Sequence, residues 1–526
     1  MYRILIADDI GEAGLALLDA APDVAYDVLA ASDLPQQIAG AYDALITLPD
    51  VPLGAELFEA AGRLQLVARA GVGLDNVDLE AATRRGIMVM NAPEANTVAT
   101  VELTIALMLA SCRRLVGANR SVQGGEWTRG QFLGTELRDK TLGIVGLGRI
   151  GAQVAVRCQA FGMKVMAYDP YITEEEAEAL HVRLASLDQV LAQADVLTFH
   201  ASLTDETRGM IAAPQLALMK DGVCLVNCAA PELWDEEAVH AGLVSGKIAS
   251  AALDLSSPTQ ATELRRLLSL DNVIATPHLS VNTVEAQRGV GVQVVQQALD
   301  ALRGTQFHHV VNLPFAEGVD QRALAPYLTL AEKIGSLHMQ LAHGRVGRVE
   351  LEFRGEEVEP HVRPLMVALL KGLLTPILGD KVNYVNAPKL AEERGLLISQ
   401  ARYLATQDYS NMILCRAASP EQTRLIGGAL FLRTHPRIVL LDELRLDALP
   451  EGWALLIASR NAPGVIGQIG LVLGKHNVNI AEWRLGREDP GLVEMSFVNV
   501  DTPASEAALA DLRALPSVTD VQQVLL

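Results

Sequence analysis

Residues 141–161 read TLGIVGLGRIGAQVAVRCQAF: a short β-branched strand, then Gly146-Leu147-Gly148-Arg149-Ile150-Gly151, then a helical pattern. In a strand–turn–helix of this kind the first glycine permits the tight turn and the second lets backbone approach a pyrophosphate. The third lets the helix close on the strand. The helix N-terminus offers free N–H groups and a positive dipole end to phosphates. Asp169 ends the next strand. Its carboxylate suits a ribose 2′-OH and repels a 2′-phosphate, which selects NAD over NADP. A glycine-rich structural turn is the alternative for the glycines alone.

Outward from this stretch, residues 1–280 alternate short apolar runs with helical patterns, as in RILIADD, DALITL, LQLVARAGVG and GIMVMNA before it and KVMAYDP, VLTFHASL, GVCLVNCAA, ASAALDL and VIATPHL after it. That alternation argues for βαβ units and parallel sheets. Residues 97–115 read as one long buried helix, and 284–303 as another ending at Gly304. The pattern resets near Pro314, and Pro450-Glu451-Gly452 marks a further boundary. Residues 452–526 parse as βαββαβ, with a turn at Asp489-Pro490-Gly491. At about 150 residues per domain, 526 residues correspond to three or four domains.

The 43 basic and 63 acidic residues leave a net charge of −20, which repels polyanions and argues against nucleic-acid binding. Half the residues are hydrophobic, which excludes a largely disordered chain. No uninterrupted apolar run has membrane-spanning length and the start lacks a secretory pattern, so the sequence reading is a cytoplasmic protein without a membrane partner. Five scattered cysteines give neither a disulfide framework nor metal spacing, and no metal is expected.

Three motifs, RAGVGLDNVDLEAATRRGIMVMNAP (69–93), the glycine fingerprint and TPHLSVNTVEAQ (276–287), resemble the D-isomer 2-hydroxyacid dehydrogenases. VNYVNAPKLAEERG (382–395), DYSNMIL (408–414), PRIVLLDELRLDALPEGW (436–453) and the βαββαβ end are similar to that family's long D-3-phosphoglycerate dehydrogenase branch, over essentially the whole chain. The resemblance implies an α/β fold with two Rossmann-like or flavodoxin-like doubly wound domains, an α+β intervening domain and a ferredoxin-like βαββαβ ACT domain. The implied divisions are a substrate-binding domain from 1–97 and 285–313, an NAD-binding domain over 98–284, an intervening, allosteric substrate-binding-like domain over 314–451 and an ACT domain over 452–526. It further implies NAD-dependent oxidation of 3-phosphoglycerate to 3-phosphohydroxypyruvate, the first step of serine synthesis, by a homo-oligomer, dimer or tetramer.

By position in these motifs, His278 matches the base that takes the C2 hydroxyl proton. Arg69, Gly71 and Asn96 are the candidate substrate contacts; a tether at the domain hinge is the alternative for Arg69. Gly146, Gly148, Arg149, Ile150, Gly151, Asp169, Cys228, Ala229, Ala230, Asp254, His278 and Ser280 match the cofactor site, with Asp254 on the nicotinamide carboxamide. Asn461 and Asn479 match an L-serine effector site in the ACT domain; turn chemistry is the alternative there.

Three positions depart from the family's pattern. Where its loop reads N-x-A-R-G-G, this chain has Asn227-Cys228-Ala229-Ala230-Pro231-Glu232, so Ala230 stands at the arginine position. Thr259 stands where a glutamate is usual, with Glu263 a helical turn further on, and Thr47-Leu48-Pro49 replaces a V-R-S anion-binding run. The expected partner is a small anionic 2-hydroxy or 2-keto acid, and these changes leave two other readings open: a catalytically impaired NAD-binding paralogue with a regulatory or assembly role, and a dehydrogenase for a different, less anionic 2-hydroxy acid.

Overall fold

The computed structural model describes residues 1–526 apart from 31, 33, 35–37, 39–41, 49–50, 75, 314–320, 404–408 and 488–492. Pro49 and the turn at Asp489-Pro490-Gly491 therefore lie outside the described residues. Four sheets are present among the rest. The first is parallel, in the spatial order Val24–Leu29, Tyr2–Ala7, Ala44–Thr47, Leu66–Arg69, Met88–Asn91. Its central runs ALIT and LVAR are buried along their whole length, as strands covered on both faces must be. Helix Val284–Leu302 returns from far downstream to pack on Ala44–Thr47, Leu66–Arg69 and helix Glu12–Asp19. Gly14 makes that crossing close: a Cβ there would stand 3.1 Å from the Gly291 carbonyl oxygen.

The second sheet has seven parallel strands, ordered Val273–Pro277, Ile248–Leu255, Val223–Asn227, Val196–Phe199, Thr141–Val145, Lys164–Tyr168, Arg183–Leu184. The chain leaves Thr141–Val145 in one direction across the sheet and later returns to fill the other side. This topological switch opens a crevice at the strands' carboxyl ends.

The 97–115 reading as a single helix is corrected. Helix Thr97–Cys112 stops, Arg114 takes φ 51°, and a second helix runs Leu115–Gln123. The Cys112 carbonyl accepts the Thr135 N–H at 2.8 Å in place of a helical donor, and Gly134 packs against it.

The third sheet is ordered Leu397–Tyr403, Arg348–Arg354, Met412–Ala418, Thr423–Phe431, His435–Leu441, Leu444–Ala448 and is antiparallel except for its first pair. Helices Gln321–Gln340 and Val362–Leu378 cover one face, crossing at Gly335 and Gly372, where each faces the other helix's backbone with no room for a Cβ. Despite the absence of an uninterrupted apolar run, Val362–Lys381 is long and apolar enough by length and composition to cross a membrane; 56% of that stretch is buried inside this core.

The fourth sheet is fully antiparallel, ordered Ile480–Arg487, Val493–Val500, Trp453–Arg460, Val518–Leu525, with helices Val465–Lys475 and Glu506–Arg513 completing βαββαβ. Alternation along the strands divides them cleanly. Leu455, Ile457 and Val498 face the helices, while Ala454, Leu456, Phe497 and Val524 join the core of the preceding unit. The third and fourth sheets thus share one continuous core.

Candidate active site

Strand Thr141–Val145 delivers the glycine turn to the crevice. Gly146 has φ 95°, and a Cβ there would lie 2.8 Å from the Ala201 nitrogen, so only glycine fits. Gly151 faces the Gly146 carbonyl with no room for a side chain. Gly148 differs: a Cβ there would meet nothing within 4 Å. The middle glycine borders open space at the N-cap of helix Arg149–Ala160, and no side chain caps that terminus. Arg149 and Ile150 open the helix, so their N–H groups lack intrahelical partners. The Leu147 N–H donates to Asp169 Oδ2 at 2.8 Å and the Tyr171 N–H to Asp169 Oδ1 at 2.9 Å. Asp169 therefore ties the glycine loop to the next strand end while staying partly exposed. These residues fit a dinucleotide: open backbone, a helix N-terminus and a held carboxylate.

Beyond strand Val223–Asn227 the chain turns at Asn227, which is fully buried. Its Oδ1 accepts the Ala229 N–H at 3.0 Å, and its Nδ2 donates to the Ala230 carbonyl at 2.8 Å. Burial pushes the Cys228 thiol up to about 12, so it stays neutral. Ala230 packs against the core that contains the edge-to-face pair Phe199 and Trp234. Two residues on, Glu232 Oε1 accepts from Gln260 Nε2 at 3.1 Å, joining the turn that carries Ala230 to the helix that carries Thr259. Thr259 and Glu263 are exposed on helix Pro258–Glu263, and no described hydrogen bond or ion pair links either to His278.

Asp254 is 4% exposed, and its carboxylate holds the segment around His278. Oδ1 accepts from Thr276 Oγ1 at 2.6 Å and from the Leu279 N–H at 2.9 Å; Oδ2 accepts from the Ser280 N–H at 3.0 Å. Thr100 Oγ1 donates to the Ser280 carbonyl at 3.2 Å, tying the segment to helix Thr97–Cys112. Held from both sides, His278 adopts φ 55°, a left-handed conformation rare for a non-glycine residue. Its side chain is exposed and has no described hydrogen-bond partner. The sequence reading assigned Asp254 to the nicotinamide; its contacts within the chain are to the His278 segment.

Arg69, 8% exposed, ends strand Leu66–Arg69. Gly71 follows at φ 158°, and Val72 and Gly73 are exposed. Asn91 Nδ2 donates to the Val72 carbonyl at 2.6 Å and the Ala92 N–H to the Gly71 carbonyl at 2.9 Å. Asn96 caps helix Thr97–Cys112 without a side-chain bond. Leu48 packs into the apolar core of the first sheet. Asn461 is exposed, Asn479 Nδ2 donates to Asp501 Oδ2 at 2.6 Å, and no described hydrogen bond joins the two asparagines. Among the described residues no three His, Cys, Asp or Glu side chains cluster as a metal site.

Sequence reasoning missed Asn91, Thr100 and Thr276. Asn91 and Thr276 lie within quoted motifs and Thr100 within the helix read over 97–115, yet their partners are set by tertiary contacts.

Residues 105–280 match the D-isomer specific 2-hydroxyacid dehydrogenase NAD-binding domain, and residues 323–442 match the D-3-phosphoglycerate dehydrogenase intervening domain. Among curated proteins, D-3-phosphoglycerate dehydrogenase of Methanocaldococcus jannaschii is 38% identical over 99% of both chains. That of Archaeoglobus fulgidus is 38% identical over 92% of both, and that of Bacillus subtilis 34% over 100% of this chain and 99% of its own. Of solved structures, the TT0316 protein of Thermus thermophilus (32% identity, TM-score 0.53) and a D-2-hydroxyisocaproate dehydrogenase (25%, 0.52) each align with 59% of this chain and 99% of their own.

Proposed function

Because the chain belongs to the D-3-phosphoglycerate dehydrogenases, a branch of the D-isomer specific 2-hydroxyacid dehydrogenases, we propose that it oxidises 3-phosphoglycerate at C2 with His278 as base. It is an NAD-dependent oxidoreductase of the phosphoglycerate dehydrogenase type, which places it in serine biosynthesis. One observation carries the assignment of roles. Gly146, Asp169, the Asn227 turn and His278 all follow the carboxyl ends of one parallel sheet, where doubly wound folds bind ligands.

NAD, when bound, supplies the hydride acceptor. Gly148, Arg149, Ile150 and Gly151 would hold its pyrophosphate through backbone N–H groups at the helix start, Gly146, whose own N–H donates to the Tyr168 carbonyl at 2.9 Å, would shape the turn beneath it, and Asp169 would accept from its ribose. Cys228, Ala229, Ala230 and Ser280 would border the nicotinamide end. The His278 imidazole takes the C2 hydroxyl proton, and Arg69 with the Gly71–Gly73 backbone holds the substrate carboxylate; Asn96 adds a polar contact. In a chain of net charge −20 this local cation is what makes an anionic substrate bindable. With Ala230 and Thr259 at two polar positions, turnover rests more heavily on Arg69 and His278.

The finer assignments form part of the same reading. The βαββαβ end is an ACT domain with L-serine at Asn461 and Asn479. The chain forms a homo-oligomer, supported by Trp127 and Leu133, 86% and 85% exposed beyond helix Leu115–Gln123. It works in the cytoplasm. Initial-rate NADH formation from NAD and 3-phosphoglycerate by full-length protein, beside His278→Ala and Arg69→Leu, tests the function. Turnover lost in both variants supports the assigned roles; absence of turnover in the parent refutes the substrate.

A further inference from the structure

The VNYVNAP stretch closes a turn on itself and then spends one donor elsewhere. Asn383 Oδ1 accepts the Val385 and Asn386 N–H groups at 2.9 and 3.1 Å, and Asn386 Oδ1 accepts the Asn383 N–H at 2.8 Å. These bonds shape the entry to helix Ala387–Glu393. The remaining group, Asn383 Nδ2, donates to the Gly86 carbonyl at 2.7 Å, 297 residues away in the first sheet's unit. Gly86 is shaped to receive it: φ is 75°, and a Cβ would stand 2.6 Å from that nitrogen. Ion pairs Arg84–Glu393 at 3.1 Å and Lys389–Glu80 at 3.2 Å flank the contact, half exposed and individually weak.

Gly86 lies at the entry to strand Met88–Asn91, an edge strand with one full neighbour, Leu66–Arg69, paired in register Arg69↔Asn91. On its open side, among the described residues, the 309–312 segment holds the strand: at the Met90↔Val310 bridge the Asn91 N–H donates to the His309 carbonyl at 3.3 Å and the Val311 N–H to the Val89 carbonyl at 2.8 Å, while Asn312 Oδ1 accepts the Val89 N–H and its Nδ2 donates to the Ile87 carbonyl, both at 2.9 Å. At its far end Asn91 and Ala92 hold the Val72 and Gly71 carbonyls. One short strand therefore runs from the Asn383 contact to the 69–73 loop.

We propose that Asn383 is a positioning residue: through Gly86 it fixes strand Met88–Asn91, and through that strand the loop that holds the substrate carboxylate. The proposal rests on the reading of loop 69–73 as the anion site. It makes the placement of the intervening unit felt at the substrate loop without any contact with the substrate.

Asn383→Asp in the full-length protein is the discriminating variant. It keeps the acceptor that closes the turn, removes the donor to Gly86, and sets a carboxylate oxygen against the carbonyl. Amide hydrogen exchange should quicken in residues 86–92 and 70–73 and stay unchanged in 141–168. The KM for 3-phosphoglycerate should rise about three- to tenfold, the weight of one hydrogen bond, with kcat and the KM for NAD within about twofold. Gly86→Ala, which blocks the contact from the other side, should reproduce both effects. Unchanged exchange at 70–73, quickened exchange without a KM change, or loosening throughout the chain would each overturn the proposal. Failure of the parent protein to use 3-phosphoglycerate would sink the substrate reading alone, because the exchange comparison still decides the Asn383 contact.

Discussion

Replacing Asp254 with asparagine isolates what the carboxylate does. In the parent it accepts three hydrogen bonds, two from the N–H groups of Leu279 and Ser280 immediately after His278 and one from Thr276 Oγ1, in a setting 4% exposed. An asparagine keeps one acceptor oxygen and turns an NH₂ group toward a backbone donor. At least one of the two N–H groups is then left buried without a partner, which costs about 1–3 kcal/mol. The penalty falls on the geometry that presents His278 at φ 55°. If that geometry is required only as the proton leaves C2, about 1–3 kcal/mol lowers kcat by about 5- to 150-fold at roughly 1.36 kcal/mol per decade. NAD affinity should change little. The assay is initial-rate NADH formation with 3-phosphoglycerate and NAD varied in turn, with thermal unfolding to confirm that the variant is folded. A wild-type kcat accompanied by a raised KM for NAD would refute the reasoning and support a contact between Asp254 and the nicotinamide.

Three other outcomes follow from the same structure. Gly148→Ala should fold like the parent and bind NAD more weakly by calorimetry, because its methyl enters open space; Gly151→Ala should lose about 2–4 kcal/mol of stability in urea, because its methyl meets backbone. Ala230→Arg with Thr259→Glu should raise kcat/KM at least tenfold if those positions limit turnover, since one buried charged partner is worth about 2–5 kcal/mol; an unchanged value would show that they do not. Burial lowers the pKa of His200 to about 3 and of His338 to about 4, so both stay neutral in the fold while the unfolded chain protonates near pH 6.5. Their stability contribution is therefore complete above about pH 6.5 and is lost as pH falls toward 4, at about 1.36 kcal/mol per pH unit for each. His200→Gln should reduce the proton uptake on unfolding at pH 5 by about one, and an unchanged uptake would contradict it.

The glycine fingerprint was readable because its constraints are local. A tight turn, a bare helix N-terminus and a helix packed on a strand each depend on residues a few positions apart. The βαββαβ order of residues 452–526 was readable for the same reason, as period-two and period-3.6 patterns succeed each other there. What was not readable depends on partners far along the chain. Asp254 looks like a strand-end acid until Thr276, Leu279 and Ser280 converge on it. Asn383 looks like a turn former until Gly86 arrives from 297 positions upstream. The break at Arg114 was hidden because residues 97–115 contain no Gly, Pro, Asn or Asp to mark it; the Thr135 N–H that takes the Cys112 carbonyl belongs to a later loop. The boundary at 450–452 was placed from proline and glycine, yet apolar strand faces on both sides of it enter one core.

The most direct test of the assigned chemistry is single-turnover NADH formation by full-length protein in excess over NAD, mixed with saturating 3-phosphoglycerate, compared with His278→Ala under identical conditions. NADH should form in the parent and be lost in the variant with NAD binding intact. A parent that binds NAD and forms no NADH, or a variant as fast as the parent, would contradict it.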